Sequence, residues 1–277
     1  MRAKIRKNIT ITALHVVVGL GAVLTMLPFI WMLGASFMET GEASTFPPKI
    51  FPAAATLKQY IFLFERMNLT RYFLNSLILA VSVTLVSLFV NSLAGFAFAK
   101  YNFRGKQRIF KLLLLSMIIP GQVTMLPVFL LLNKLGLLNS YLGIILPGMA
   151  SIFGIFLIRQ YLSSIPDSLL EAAYLDGAND FYIYWKIVIP LAMPILVTLA
   201  LFTFMGTWND FLWPLIVMSD ESMYTLPVAL ANLSKEFVLD PELMMAGSVI
   251  TVLPVILVFL ALQRYYIRGI LIGGLKG

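Results

Sequence analysis

The sequence predicts an all-α integral membrane protein with six transmembrane helices and both termini in the cytoplasm. Three observations lead there. Only 12% of the 277 residues are charged and the mean hydropathy is +0.91, whereas a soluble domain carries about 25% charge. Six long stretches contain no Asp, Glu, Lys or Arg. The basic residues also segregate to one side of those stretches, as the orientation rule for membrane proteins requires.

The stretches run over residues 8–38, 72–99, 112–133, 135–158, 187–209 and 243–263, each long enough for the roughly 20 residues a helix needs to cross the hydrocarbon layer. Arg2, Lys4, Arg6 and Lys7 precede the first of them in the manner of a secretory signal. The apolar run is much longer than the 7 to 15 or so residues of a signal's core, so it is read as an uncleaved span. His15 interrupts it alone and is read as a packing residue.

With an even number of spans, the N-terminal tail, loops 100–111 and 159–186 and the C-terminal tail share one side, holding 14 of the 20 basic residues against four acids. The other side has six basic and nine acidic residues, so the net +7 divides into +10 inside and −3 outside. That division removes the nucleic-acid binder that a basic chain otherwise suggests, because no soluble basic face exists. The absence of cysteine excludes a disulfide scaffold, thiolate catalysis and cysteine-ligated metals.

Outside the spans, segment 39–70 carries Pro47, Pro48 and Pro52 and the aromatic run Tyr60, Phe62, Phe64, the composition of an interfacial element. Segment 219–242 mixes five acids with hydrophobic residues and is large enough to touch another protein. No inverted repeat of the secondary-transporter kind is visible.

The loop between the fourth and fifth spans is the most informative stretch. Pro166, Asp167 and Glu171 suit a helix's first turn, and Gly177 falls where a left-handed C-terminal cap belongs. A short helix is predicted from about Pro166 to Asp176, too short and polar to cross a membrane, followed by an amphipathic run through Phe181, Tyr184 and Trp185 into the fifth span. Ala172 and Ala173 permit close backbone approach, and Glu171 offers a carboxylate across such a contact. On this pattern alone, a connector packing its apolar side under the bundle explains the loop equally well.

Glu171-Ala172-Ala173, Gly177 four residues after the second alanine, and Ile187-Val188-Ile189-Pro190 resemble the Glu-Ala-Ala, glycine, Ile-x-Leu-Pro motif of ABC-type importer permeases, with Ile189 in place of the leucine. Asp176-Gly177-Ala178, Trp208-Asn209-Asp210-Phe211, Gln263 to Gly269 and Gly274-Leu275-Lys276-Gly277 are similar to the carbohydrate-uptake branch, and to the six-helix permease of its maltose-type pair. So are Tyr72 to Ser76 and Phe103-Arg104-Gly105-Lys106, so the resemblance covers about residues 70–277. It implies a type I importer fold, with residues 1–70 as tail, first span and outer segment, 71–265 as transmembrane core containing a coupling loop at 163–186, and 266–277 as a cytoplasmic tail.

The resemblance further implies that Glu171, Ala172, Ala173, Asp176, Gly177 and Ala178 dock on a separate ATP-hydrolysing subunit, and that Arg268, Gly274, Lys276 and Gly277 reach the ATPase dimer interface. It implies a second homologous permease subunit, an ATP-binding subunit dimer, an extracytoplasmic solute-binding protein and a carbohydrate substrate. It places the chain among lipids of a bacterial or archaeal plasma membrane. Independently, the sequence lacks a P-loop, since no lysine is followed by serine or threonine. ATP and Mg²⁺ are therefore expected on the partner ATPase, with no cofactor or metal on this chain and no catalysis by it.

Candidates for the solute route are the polar groups in or near the spans: Trp208, Asn209, Asp210, Asn75, Asn91 and Gln122, with Thr124. Interhelical hydrogen bonding or an interfacial position accounts for each as well. Seven prolines, among them Pro120, Pro127, Pro147 and Pro194, are expected to kink spans. Two rival readings stand beside the importer. An ion-coupled secondary transporter needs a buried carboxylate near the bilayer midplane, and the spans offer only Asp210 near an end. An intramembrane enzyme needs clustered catalytic groups that one histidine and no cysteine cannot supply.

Overall fold

The computed structural model describes residues 2–236 and 240–274, and these are helical throughout apart from turns. Residues up to Leu69 with Leu230–Leu253 make one compact unit, and Thr70–Ala229 with the chain from Pro254 make a second.

The first unit begins with α1 (Arg2–Ala35), whose apolar side chains from Ile11 to Ile30 are exposed throughout. A single helix cannot bury an all-round apolar surface in its own chain, so lipid or a neighbouring subunit must cover it. After the proline-rich stretch, α2 (Lys58–Glu65) buries Gln59 and Leu63 while Phe46, Phe51 and Phe64 stay exposed. Tyr60 donates to Ser36 Oγ (2.8 Å) and Gln59 to Thr40 Oγ1 (3.1 Å). Polar pairs thus close the apolar element on itself.

In the second unit, α3 (Leu69–Lys100) is followed by α4 (Lys106–Ser116) and α5 (Gly121–Lys134). These last two correct the expected third span. They meet at 103°, so the uncharged run 112–133 is not one straight helix. The cause is local. Pro120 has no N–H to continue α4 and stands extended (ψ 136°), and residues 117–119 make only three-residue turn bonds before Gly121 restarts the helix.

The expected fourth span also starts later, at Leu142, because Gly136 (φ 67°) and Asn139 (φ 53°) hold the chain in a turn after Leu135. It comprises α6 (Leu142–Gly148) and α7 (Ile152–Leu162), joined at a break where Asn91 Oδ1 accepts from Ser151 N–H (3.0 Å) and Ser151 caps α7. Close approach of α3 and α7 depends on two glycines. A Cβ on Gly95 would lie 2.7 Å from Ile158 Cγ2, and one on Gly154 would lie 2.7 Å from Asn91 Nδ2.

The short helix α8 (Asp167–Leu175) leads to α9 (Asp180–Ile183), a π-turn (Tyr184–Val188) and α10 (Ile189–Trp208), continuous as the fifth span. Then come α11 (Leu212–Val217), α12 (Leu226–Glu236) and α13 (Pro241–Gly274). Residues 266–274, expected in a separate tail, continue α13 as helix. Among the described residues, five helices are long and apolar enough to cross a membrane, and the bent pair α4–α5 supplies a sixth crossing if it counts as one span.

Candidate functional site

The docking candidate is α8 with the turn that follows it. The backbone of that turn is a Schellman motif: Ala178 N–H donates to Ala173 O (3.0 Å) and Gly177 N–H to Tyr174 O (3.0 Å), with Gly177 at φ 83°. Asn179 then caps α9 by accepting from Tyr182 N–H (2.8 Å). The helix, turn and helix read from the sequence are all present.

Two leucines set the faces of α8. Leu170 is buried in a cluster with Phe96, Ile158, Leu162, Ile183 and Tyr184. Leu175 is 90% exposed. Five residues apart, they lie about 140° round the helix from each other. The small residues divide likewise: Ala173 and Ala178 are half-buried against the cluster, whereas Glu171, Ala172 and Asp176 face outward and exposed. Leu169, Phe181 and Tyr182 add exposed apolar surface beside them. The inward face fastens the element to α3, α7 and α10, and the outward face has no partner among the described residues.

Lys100 and Tyr101, which sequence reasoning passed over, hold this element from behind. Lys100 Nζ donates to Asp167 Oδ1 (2.6 Å) and to Ile165 O, with its side chain only 6% exposed. Tyr101 Oη donates to Asp180 Oδ1 (2.7 Å), and Tyr174 Oη donates to the same oxygen. The Lys100 hydrogen bond holds the Asp167 carboxyl below the usual carboxylate range. Its pairing is therefore complete above that range and is lost as pH falls through the lowered pKa. Burial, then the bond to Asp180, pushes the Tyr101 phenol up, and the bond to Asp180 does the same to Tyr174, so both remain donors at neutral pH.

Of the tail residues, Arg268 and Gly274 lie on the last turns of α13, and Lys276 and Gly277 lie outside the described residues. The route candidates separate. Gln122, Thr124 and Asp210 share a cavity of about 380 Å³ with Thr207, Trp213 and Pro147, and among the described residues that line it Asp210 alone is ionisable. Asp210 Oδ1 accepts weakly from Trp213 N–H (3.4 Å) and keeps lone pairs for another donor.

Asn75, Asn91, Trp208 and Asn209 do not line this cavity. Asn75 donates to Ser222 O (3.0 Å) and Tyr224 O (2.9 Å) and accepts from Tyr141 Oη (2.8 Å). Asn91 is fully buried and bridges Ser87 Oγ (2.8 Å) to the α7 cap. Trp208 is buried edge-on to Phe73 (5.5 Å) and stacked with Phe204 (5.9 Å), and Asn209 bonds back to Met205 O on its own helix. Asn75, Asn91 and Trp208 thus pack between elements, and Asn209 closes the end of its own helix.

An Asp210→Ala variant is expected to lower solute uptake about tenfold or more, the worth of a charge-assisted hydrogen bond, while the protein assembles at wild-type levels. Uptake and assembly both unchanged would remove Asp210 from the route.

Residues 91–272 match the family described as binding-protein-dependent transport system inner membrane component. The arabinooligosaccharides transport system permease protein AraQ of Halalkalibacterium halodurans is 35% identical over 92% of this chain and 93% of its own length. The lactose transport system permease protein LacG of Rhizobium radiobacter is 30% identical over 98% of both. Among solved structures, a chain of a bacterial ABC transporter involved in the import of the acidic polysaccharide alginate superposes with a TM-score of 0.83. It is 26% identical, and the match covers 94% of this chain and 97% of that one. With the Glu171 to Gly177 turn and the multi-helix bundle in place, the chain belongs to the family of binding-protein-dependent transport system inner membrane components, as a multi-pass permease subunit.

Proposed function

We propose that the chain is one permease subunit of an ATP-driven carbohydrate importer in a bacterial or archaeal plasma membrane, with both termini in the cytoplasm. It lines the translocation route together with a second, homologous permease. An ATP-binding subunit dimer, which holds ATP and Mg²⁺, docks on the outward face of α8, and an extracytoplasmic binding protein delivers the solute to the opposite side. Relatives named for arabinooligosaccharides and lactose support a carbohydrate substrate. The positive-inside distribution supports the orientation.

The observation that carries the reading is the division of α8 into two apolar faces, one filled by Leu170 within the chain and one left open at Leu175. An element built only to connect two spans has no use for the second. Closure of the ATPase dimer would move α8 and its turn as one body, and the attached spans would rock between two access states.

The complex, reconstituted in proteoliposomes with its partner permease, ATPase and binding protein, is expected to take up neutral oligosaccharide only when Mg-ATP reaches the ATPase. Uptake driven by an imposed proton or sodium gradient without ATP would establish the secondary-transporter alternative instead.

A further inference from the structure

Helix α3 is tied at both ends to segments far from it in sequence. At its C-terminal end, consecutive residues bracket α8: Lys100 holds Asp167, the helix's first residue, and Tyr101 holds Asp180, just past its turn, at 2.6 and 2.7 Å. At its N-terminal end, Tyr72 donates to Glu221 Oε1 (3.0 Å), Asn75 to Ser222 O and Tyr224 O, and Ser76 Oγ accepts from Leu226 N–H (2.8 Å). Neither segment adjoins α3 in the chain. Its 32 residues span about 48 Å at 1.5 Å per residue, enough to cross the whole bilayer.

The composition of α3 fits a rigid connection. Among the described residues, each of the other candidate spans contains at least one proline: Pro28, Pro120 and Pro127 in the bent pair, Pro147, Pro190 and Pro194, and Pro254. Helix α3 has none. Proline interrupts the hydrogen-bond ladder and bends a helix at that point, so α3 is the one span with an unbroken ladder. A buried polar row, Asn75, Ser76, Thr84, Ser87, Asn91 and Ser92, runs along it. Asn91 reaches α7, and Ser92 Oγ bonds Tyr184 Oη (2.6 Å) at the π-turn.

We infer that α3 is a strut that transmits displacement between α8 and the 221–226 turn at the opposite end, with Lys100 and Tyr101 as the positioning residues that engage it. Without those two residues α8 is joined to the bundle only through Leu170, its small-residue packing and its two chain neighbours. Movement of α8 would then reach α10 through the chain and α3 only through the apolar packing around Leu170 and Phe96, with neither polar tie to hold it. With them, displacement of α8 pulls the 221–226 turn, and a partner bound at that turn is sensed at α8. The inference rests on the docking proposed above.

The test uses the complete complex in proteoliposomes, measuring binding-protein-stimulated ATP hydrolysis and solute taken up per ATP. A Lys100→Met, Tyr101→Phe double variant is expected to retain the ATPase at wild-type stoichiometry. Stimulation and uptake per ATP should each fall at least about tenfold, since a single charge-assisted hydrogen bond is worth that much and the double variant removes both ties. Lys100→Met alone should lower both and Lys100→Arg should keep both near wild type, a split by retained cation that a loss of general stability would not predict. Asp167→Ala removes the same bond from the exposed side, and decides the matter alone if the double variant fails to insert. ATPase bound with stimulation and uptake per ATP unchanged, in the double variant or in Asp167→Ala, would overturn the strut. Failure of the wild-type chain to bind the ATPase at all would overturn the docking instead.

Discussion

Gly177→Glu is expected to abolish ATP-driven uptake while the chain reaches the membrane at wild-type levels. Gly177 occupies the left-handed region at φ 83°, which lets its own N–H and that of Ala178 close α8 on Tyr174 O and Ala173 O. An ordinary L-residue there costs about 1–2 kcal/mol of backbone strain, too little to unfold a bundle of this size. A Cβ at the position meets nothing within 4 Å, so no steric clash is added inside the chain. What the substitution changes is the outward surface, where a long carboxylate projects from the docking turn.

A loss of uptake greater than about a hundredfold, some 2.7 kcal/mol, is predicted together with loss of co-purified ATPase. Gly177→Asn is the control, because asparagine tolerates the left-handed region and is short. It should retain uptake to within about tenfold. Measuring uptake, ATPase stoichiometry and membrane level for both variants separates backbone strain from docking. Wild-type uptake by Gly177→Glu would count decisively against the docking role.

Leu175→Asp carries the second large effect. At 90% exposure the leucine contributes nothing to packing in the isolated chain, and such a surface change shifts stability by no more than about 0.5 kcal/mol. Burying a leucine against a partner contributes about 1.5–3 kcal/mol, and a carboxylate in its place must also be desolvated. ATPase association is therefore expected to weaken about a hundredfold or more, with no change in the thermal stability of the purified permease. Equal association of both forms would show that the open face of α8 is not the docking surface. A falling stability would show that Leu175 is covered within the chain's own assembly.

Much of this arrangement is legible in the sequence, for local reasons. The α8 turn is readable because Pro166, Asp167 and Gly177 each have a backbone requirement that one helix end satisfies. The spans are readable because bilayer length selects them. Uncharged length, however, hides a break. Pro120-Gly121 is a turn signal in the middle of an apolar run, and an expected kink proves to be a 103° bend.

The route candidates were only partly legible, because a buried asparagine looks the same whether it faces solute or a backbone carbonyl. Asn75 and Asn91 have their partners at positions 141, 151, 222 and 224, and nothing local announces them. Lys100 likewise reads as an inside anchor until the fold brings it to Asp167, 67 residues away. The spacing of Leu170 and Leu175 is the one signal in the sequence for the outward face on which docking is proposed. Two leucines on opposite sides of a nine-residue helix require two apolar surfaces.

The chain contains no cysteine, so Leu175→Cys is a single-thiol protein without further substitution. Labelled at that thiol with a benzophenone maleimide and irradiated in the reconstituted complex, it is predicted to give one adduct, with the ATP-binding subunit, from the side on which ATP is hydrolysed. An adduct with the binding protein, or labelling of the thiol by an impermeant maleimide from the external side of intact cells, would contradict the coupling role of α8 and the orientation that goes with it.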